Sequence, residues 1–482
     1  MHGLQLQREI ELKFELDHRA AKRVRRLALL SKSDSQTRSQ RTVYFDTNKG
    51  KLRTKGYSLR VRQVGDCIMQ TVKTNGGSAG LFDRDEWEMV VRQMEPDLAA
   101  LTRTPLAKFK GLDRLEPVVR SDVDRTRWMI DRDQSAIEVV LDSGIVSAGD
   151  QEIRFHELEL ELKDGEADAI FDLAQELSNA VPLKIGVVGK EERGLMLAGG
   201  RLGREHKASA PNIRNNMNAG QVLALLVFEC VRHFRLNEAM IIADRDPQAL
   251  HQARVAMRRL RTAFALFRPA IRQSSLELLR NELRQFIRPF GEARNLDVFL
   301  AHHGADLHAS DRRKLESARA NAYDQVIDTL NAQQSRDMFL DIVEWIASRD
   351  WQTDAASARI GQFAEKRLDA IWRKVKRKGS NLADIQEKQL HRLRIDIKKL
   401  RYAVEFLAAL YPKKDVRKFT SPLERMQGRL GLMHDDMIGR QIVADLSLSA
   451  MAKPVVTGRS RQIKAMEVSY NRLMRVGRFW SK

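Results

Sequence analysis

The stretch Glu9-Ile10-Glu11-Leu12-Lys13-Phe14-Glu15-Leu16 alternates charged and apolar residues without interruption. Side chains alternate between the two faces of a β-strand, so this pattern places all the charges on one face. A second stretch, from Glu157 to Lys163, repeats the arrangement with charged residues at every second position. The two stretches predict strands that present a shared charged surface.

Basic residues recur at the same two-residue spacing between these two stretches. Arg60 and Arg62 form one such pair and Arg125 and Arg127 another, while Lys73 ends a further strand-like run. For a single strand, an ordinary solvated sheet face would explain the charges. The repetition of tight Glu-x-Glu and Arg-x-Arg pairs instead favours a common charged interior.

Clustered carboxylates and arginines suit a metal-bound phosphate chain. Carboxylates repel one another unless a divalent cation joins them, and Mg²⁺ and Mn²⁺ prefer such oxygen ligands. Arginine binds phosphate oxygens as a planar fork and lysine as a point charge. The pattern therefore predicts a metal-assisted transfer of a phosphoryl group to water.

The ordered motifs resemble the CYTH superfamily, the triphosphate tunnel metalloenzymes, over residues 5–200. In chain order the matching segments are Glu9 to Lys13, Tyr44 to Thr47, Leu59 to Arg62, Arg84 to Glu88, Arg125 to Arg127, Glu138 with Asp142, Glu157 to Lys163, and Lys190 before Arg193. The resemblance implies a closed antiparallel tunnel that binds triphosphate with Mg²⁺ or Mn²⁺.

The resemblance also implies roles for individual residues. The catalytic set would be Glu9, Glu11, Lys13, Glu159 and Glu161. Metal would be bound by Glu9 and Glu11 with two of Glu157, Glu159 and Glu161, and the choice among these three is open. The phosphate ligands would be Lys13, Arg60, Arg62, Lys73, Arg84, Arg125, Arg127, Lys184 and Lys190. Inorganic triphosphate is the favoured substrate, with thiamine-triphosphatase and adenylate cyclase as alternatives in the same superfamily.

The net positive charge of the chain lies in residues 201–482. Residues 1–200 hold 32 Lys and Arg against 33 Asp and Glu, whereas the remainder holds 52 against 31, a net charge of +21. Such an excess attracts polyanions. Residues 219–482 also change to the three- and four-residue apolar spacing of amphipathic helices. The segment 201–218, rich in Gly, Asn and charge, reads as a linker.

A motif in this basic half is repeated at an offset of 140 residues. The segment His251-Gln-Ala-Arg-Val-Ala-Met-Arg-Arg-Leu-Arg261 aligns with His391-Arg-Leu-Arg-Ile-Asp-Ile-Lys-Lys-Leu-Arg401. The double motif resembles the CHAD domain over residues 218–482. That resemblance implies paired helical bundles around a surface that binds inorganic polyphosphate. The polyphosphate ligands would be His251, Arg254, Arg258, Arg261, His391, Arg394, Lys398 and Arg401.

The sequence thus predicts an α+β protein: a closed antiparallel β tunnel with flanking helices over 1–200, a linker, and an all-α duplicated helical bundle over 219–482. The favoured function is metal-dependent hydrolysis of inorganic triphosphate together with polyphosphate binding. A non-catalytic protein of polyphosphate granules is the main alternative. Nucleic-acid binding is disfavoured because no helix-turn-helix, zinc-finger or RNA-binding aromatic signature is present.

Location follows from composition. No apolar run approaches the length needed to cross a bilayer, and the N-terminal residues lack the pattern of a secretory signal. Two cysteines cannot build a disulfide framework. We therefore expect a cytoplasmic protein, with association with polyphosphate granules as a further expectation and no membrane partner. The sequence sets no oligomeric state.

Overall fold

The computed structural model describes residues 10–74, 81–82, 86–132, 134–382, 385–449 and 459–481. The chain divides into two compact units. The first runs to Arg204 and also takes in Ala332–Ser348, while the second comprises Glu205–Asn331 and the residues from Arg349 onward. A short segment from the middle of the helical half therefore packs with the N-terminal unit.

The first unit is built on one antiparallel sheet. Its described strands are β1 (Ile10–Leu16), β2 (Ser35–Thr47), β3 (Tyr57–Val64), β4 (Cys67–Thr74), β5 (Leu81–Phe82), β6 (Glu86–Val90), β7 (Leu115–Arg132), β8 (Ser135–Ala148), β9 (Gln151–Asp164) and β10 (Lys184–Ile185). Their order is β10-β1-β9-β8-β7-β2-β3-β4-β6, with β5 also paired to β1. The predicted α+β class, with an antiparallel sheet followed by helices, is confirmed.

Closure of the predicted tunnel does not come from strand pairing. The two ends of the sheet are β10 and β6, and within the described ranges no backbone ladder joins them. The short strand β5 pairs with β1, whereas β6, which follows β5 in the chain, pairs with β4. Strands β5 and β6 are thus neighbours in the chain but pair near opposite ends of the sheet.

The two faces of the sheet differ in composition. Apolar side chains of β2, β3 and β4, including Val43, Leu59 and Val72, form a buried core on one face, and Trp87 packs against it. Trp87 thus lies on the face opposite Glu86 and Glu88, as strand alternation predicts. The other face carries the charged residues, which leaves the apolar core to hold the strands in register.

The helices of the first unit flank the sheet. Those before the second unit are α1 (His18–Val24), α2 (Ala28–Ser31), α3 (Lys51–Thr54), α4 (Leu98–Leu101), α5 (Asp168–Ala180) and α6 (Lys190–Ala198). Helix α6 packs on β7, β8 and β9, with Leu195 in an apolar cluster that includes Tyr44, Val119 and Phe155. A Cβ atom at Gly194 would lie only 2.3 Å from Val119 Cγ1, so glycine permits this close approach.

Several of the remaining described helices follow the repeat seen in the sequence. They are α7 (Ala219–Asp244), α8 (Pro247–Leu266), α9 (Gln273–Phe286), α10 (Arg288–His303), α11 (Ala309–Asn331), α12 (Gln333–Ser348), α13 (Ile360–Gly379), α14 (Glu387–Leu407), α15 (Lys413–Asp445) and α16 (Arg459–Val476). Helices α8 and α14 begin 140 residues apart, as do α9 and α15. The single helix α15 spans the counterparts of both α9 and α10.

Helix α12 lies between the two copies of the repeat and is the segment grouped with the first unit. None of the helices in the described part of the chain combines the length and apolar composition needed to span a bilayer.

Candidate active site

Three neighbouring strands present rows of carboxylates on the charged face of the sheet. The register pairs Glu11 of β1 with Glu161 of β9, and Glu161 in turn with Glu138 of β8. Residues directly opposite in an antiparallel pair share a face, with Cβ atoms about 5 Å apart, and like charges there are destabilising. This first row therefore needs compensating cations.

A second row lies four residues further along β1 and β9. It contains Glu15, Glu157 and Asp142, and the last two are completely buried. Between the two rows, Lys13 lies opposite Glu159. The facing strands predicted from the sequence thus meet as direct neighbours in the sheet.

Helix α6 supplies the counterions of the second row. The Lys190 ammonium lies 2.8 Å from Asp142 Oδ2, 2.8 Å from Glu157 Oε2 and 3.1 Å from Glu159 Oε1. One turn along the helix, on the same side, Arg193 lies 3.1 Å from Glu157. Burial alone would lower the pKa of Lys190, but the three carboxylates outweigh it and raise this pKa well above its ordinary value.

Glu159 is the centre of this network. It accepts from Lys13 at 2.8 Å and from Arg125 at 2.8 Å, and Arg125 also binds Asp142 through two nitrogens at 2.6 and 2.7 Å. Burial would raise the pKa of Glu159, but Lys13, Lys190 and Arg125 hold it well below the usual range. The carboxylate is therefore ionised at neutral pH and is shared by three cations.

The first row lies toward a more open end of the charged face. Lys163 contacts Glu161 at 2.5 Å and Glu138 at 3.4 Å, and Arg127 lies 3.7 Å from Glu138. The side chains of Lys163 and Arg127 are 37% and 47% exposed. The exposure of the charged side chains therefore increases from the buried end under α6 to the end that solvent reaches.

A basic wall, formed by Arg60 and Arg62 of β3 together with Lys73 of β4, continues the same face. Arg62 donates to Thr42 at 3.2 Å, and burial, Arg60 and Arg125 lower its pKa to about 9. The Nε atom of Arg60 is buried with no hydrogen-bond partner among the described residues. The two arginines repel each other, and Arg60 has an unused donor, which suits an anionic ligand.

Two further lysines predicted as phosphate ligands have defined positions. Lys73 forms an ion pair with Glu86 of β6. Lys184 of β10 lies opposite Glu15, so the register places it on the charged face. That register supplies the face of Lys184, which its local sequence spacing left ambiguous.

The structure brings most of the predicted site residues onto one face. Glu9 and Arg84 lie outside the described residues. Sequence reasoning gave no role to Arg193, although its position three residues after Lys190 on a helix is a signal that both share one side. In the described ranges no group of three or more His, Cys, Asp or Glu side chains is placed to hold a metal ion.

The second unit contains a basic cluster, formed by Arg254 and Arg258 of α8, Arg294 of α10, and Arg394 and Lys398 of α14. Burial, Arg258 and Arg294 lower the pKa of Arg254 to about 10. Burial, Arg394, Arg258 and Arg254 lower the pKa of Lys398 to about 7. The two copies of the repeated motif therefore converge on one positively charged site.

Two histidines border this cluster. Burial together with Arg294 and Arg258 lowers the pKa of His251 to about 4. Burial together with Arg394 and Lys398 lowers the pKa of His434 to about 4. The ring centroids of His434 and His391 are 5.8 Å apart. Sequence reasoning did not select His434, but the 140-residue offset places it at the position of Arg294 in the other copy.

Two residues of the predicted polyphosphate set have other surroundings. Burial and the nearby Arg284 and Arg280 of α9 lower the pKa of Arg261. Arg401 forms an ion pair with Glu405 at 3.1 Å. A stripe of ten residues is about 15 Å long on a helix, so its far end meets different neighbours. Asp297 binds Arg319 at 2.7 Å and Tyr323 at 2.9 Å of α11, and its counterpart Met437 is exposed.

Comparison with known proteins assigns both halves. The CYTH domain family matches residues 7–195 and the CHAD domain family matches residues 226–444. A relative from Haemophilus influenzae, named inorganic triphosphatase, is 31% identical over 201 residues, which cover 41% of this chain and 56% of that protein. This chain therefore spans little more than half the length of that relative.

Two solved structures show weaker similarity. The CHAD domain from Ricinus communis is 21% identical, with a TM-score of 0.45, and the match covers 56% of this chain and 89% of that one. A Hippeastrum protein titled as an adenylyl cyclase with a dominant triphosphatase activity is 18% identical, with a TM-score of 0.32, covering 40% and 97%. The family matches show that the chain carries a CYTH domain followed by a CHAD domain.

Proposed function

We propose that this protein hydrolyses inorganic triphosphate to diphosphate and phosphate with the help of a divalent cation. The observation that carries the proposal is that one sheet face carries both the pair Glu11 and Glu161 and the basic wall, in which Arg62 is repelled by Arg60 and Arg125. The likeness to a protein named inorganic triphosphatase supports it. The CYTH domain supports dependence on a metal ion.

The carboxylates fit a hard cation in chemical kind. Glu157 and Asp142 are fully buried and held by Lys190, so they act as internal counterions. Glu11 and Glu161 lie opposite each other nearer the open end, and their oxygens are the donors that Mg²⁺ and Mn²⁺ prefer. We assign the metal to these two residues, with Glu9 as a further ligand. Such an ion would neutralise phosphate oxygens and activate water.

The basic residues would hold the phosphate chain. Arg60 has a buried Nε atom without a partner among the described residues, and Arg62 lies beside two other arginines, Arg60 and Arg125. Lys73 and Lys184 extend the same face. Lys13 and Arg125 are already paired with Glu159, so a phosphate would compete with this carboxylate for their positive charge.

Turnover by the full chain tests this proposal. Release of phosphate from triphosphate should require Mg²⁺ or Mn²⁺ and should fall to background in Glu11→Gln, because the amide removes a charged ligand. A panel with ATP and thiamine triphosphate separates the alternative activities of the superfamily. Hydrolysis of either in preference to triphosphate would contradict the substrate assignment. Absence of turnover on every substrate would favour the non-catalytic role at polyphosphate granules.

For the second unit we propose binding of inorganic polyphosphate at the basic cluster. Arg258 and Arg394 each have a buried Nε atom without a hydrogen-bond partner in the described part of the chain. A flexible chain of phosphates offers acceptors for such donors. Competition between long-chain polyphosphate and DNA at matched salt tests the proposal, since salt weakens binding of any polyanion. Preferential binding of DNA would overturn it.

A further inference from the structure

Helix α12 lies between the two copies of the helical repeat, yet it packs with the sheet unit. Gln333 donates to Asn179 at 2.7 Å, and Ser178 donates to Asp337 at 3.1 Å. Both partners lie at the end of α5. This arrangement attaches a helix from the CHAD region to the CYTH unit through specific polar contacts.

One side of α12 faces α5. Gln333, Asp337, Leu340 and Glu344 follow one another at four-, three- and four-residue steps, which places them on the same side of a helix. Leu340 is only 3% exposed, and Glu344 is near enough to Asp172 and Asp168 of α5 for their charges to act on it. Leu340 is thus the apolar residue on the side of α12 that packs against α5.

Helix α12 also lies against β10, the strand that carries Lys184 on the charged face. Within β10, Lys184 lies opposite Glu15. The backbone N–H of Gly186, just beyond β10, donates to the carbonyl of Lys13 at 2.7 Å. A Cβ atom at Gly186 would lie 2.9 Å from Lys13 Cγ. Displacement of β10 would therefore move both Lys184 and the backbone at Gly186 that packs against Lys13.

We propose that α12 is a positioning element for the triphosphate site: it holds β10 in place and thereby sets where Lys184 meets the substrate. This inference rests on the proposed triphosphatase function. It means that a helix from the CHAD region supports the strand of the CYTH domain that carries Lys184. In this proposal α12 acts by holding β10 in place, because it packs against both α5 and β10.

The test uses full-length variants of α12. Leu340→Ala should raise the KM for triphosphate about three- to tenfold while kcat stays within about twofold, because the loss lies in substrate positioning. Ile342→Ala is the matched control: Ile342 is also buried but lies about 200° further round the helix than Leu340, so this change leaves the side from Gln333 to Glu344 intact. Ile342→Ala should leave the KM close to that of the unmodified chain.

A double-mutant cycle separates positioning from general loss of stability. If α12 acts through Lys184, the KM effect of Leu340→Ala should largely disappear in a Lys184→Ala background. An unchanged KM in Leu340→Ala, or an effect of the same size in both backgrounds, would overturn the inference. Failure of the unmodified chain to hydrolyse triphosphate would instead contradict the proposed function, so the two failures are distinguishable.

Discussion

Two lysines in the two halves of the chain show how differently their charged sites are built. Lys190 in the sheet unit contacts three carboxylates, which raise its pKa well above the ordinary value. Lys398 in the helical unit faces Arg394, Arg258 and Arg254, and its pKa falls to about 7. Burial acts on both lysines in the same direction, so the neighbouring charges decide the outcome.

The comparison implies different responses to a ligand. In the sheet unit Lys13, Lys190 and Arg125 are already paired with carboxylates, so a phosphate chain must compete with these carboxylates for them. In the basic cluster the cations repel one another, and a bound anion would reduce this repulsion. Removing one charge should therefore have opposite effects on stability in the two units.

The largest effect is expected for Glu159→Ala, which leaves Lys13, Lys190 and Arg125 without their shared carboxylate. Breaking a buried ion network in this way costs about 3–5 kcal/mol of unfolding free energy. Thermal unfolding should shift to lower temperature and triphosphate turnover should be abolished. Glu152→Ala on the same strand is the control: Glu152 is exposed, so this change should alter neither the unfolding temperature nor the turnover. An unchanged unfolding temperature in Glu159→Ala would contradict the view that paired charges stabilise the sheet unit.

The opposite sign is expected for Arg254→Gln in the basic cluster. Removing a cation that Arg258 and Arg294 already repel should leave the thermal midpoint unchanged or raise it. Affinity for long-chain polyphosphate should fall about tenfold or more, since a charged hydrogen-bond donor is lost. Calorimetry and binding titrations measure both quantities. Arg312→Gln, at an exposed residue of α11 paired with Glu316, is the control.

A pH series sharpens the same contrast. Lys398 without ligand loses its proton above about pH 7, whereas the unfolded chain keeps it to about pH 10.5. The unfolded state therefore binds more protons in that window, so this residue's contribution to stability increases with pH. Polyphosphate favours the charged form, so affinity should fall as pH rises from 7 to 9. Lys398→Met should flatten that dependence; an equally steep slope in this variant would assign the titration to another group.

The smallest effect is expected for Glu344→Gln at the contact of α12 with α5. Burial, Asp172 and Asp168 raise the pKa of Glu344, so the folded unit disfavours its charge at neutral pH. The amide should raise the thermal midpoint by about 1 °C at pH 7 and by less near pH 4, where the carboxyl is protonated. Asp337→Ala should act in the reverse direction because it removes the acceptor of Ser178.

The charged face was predictable because strand alternation is strict. Glu11 with Glu161 and Arg60 with Arg62 lie where period-two spacing places them. The ordered motifs also led to the correct family for each half. These predictions depended on local geometry, which the sequence encodes directly.

What the sequence left open depends on long-range packing. The choice of Lys190 and Arg193 as counterions to Glu157 follows from the docking of α6, which no strand pattern reveals. The divergence of Arg261 and Arg401 from the basic cluster likewise depends on α9 and on Glu405. The grouping of α12 with the sheet unit has no signal in its own periodicity.

The placement of α12 also bears on how such a chain evolves. Two domains joined by one linker can be exchanged by a single recombination event. Here the polypeptide passes from one unit to the other three times, after Arg204, after Asn331 and after Ser348. Replacing either domain requires matched junctions at all three points, so the fusion is resistant to shuffling. A protease nick in the 201–218 segment would still leave the sheet unit carrying α12 from the other fragment.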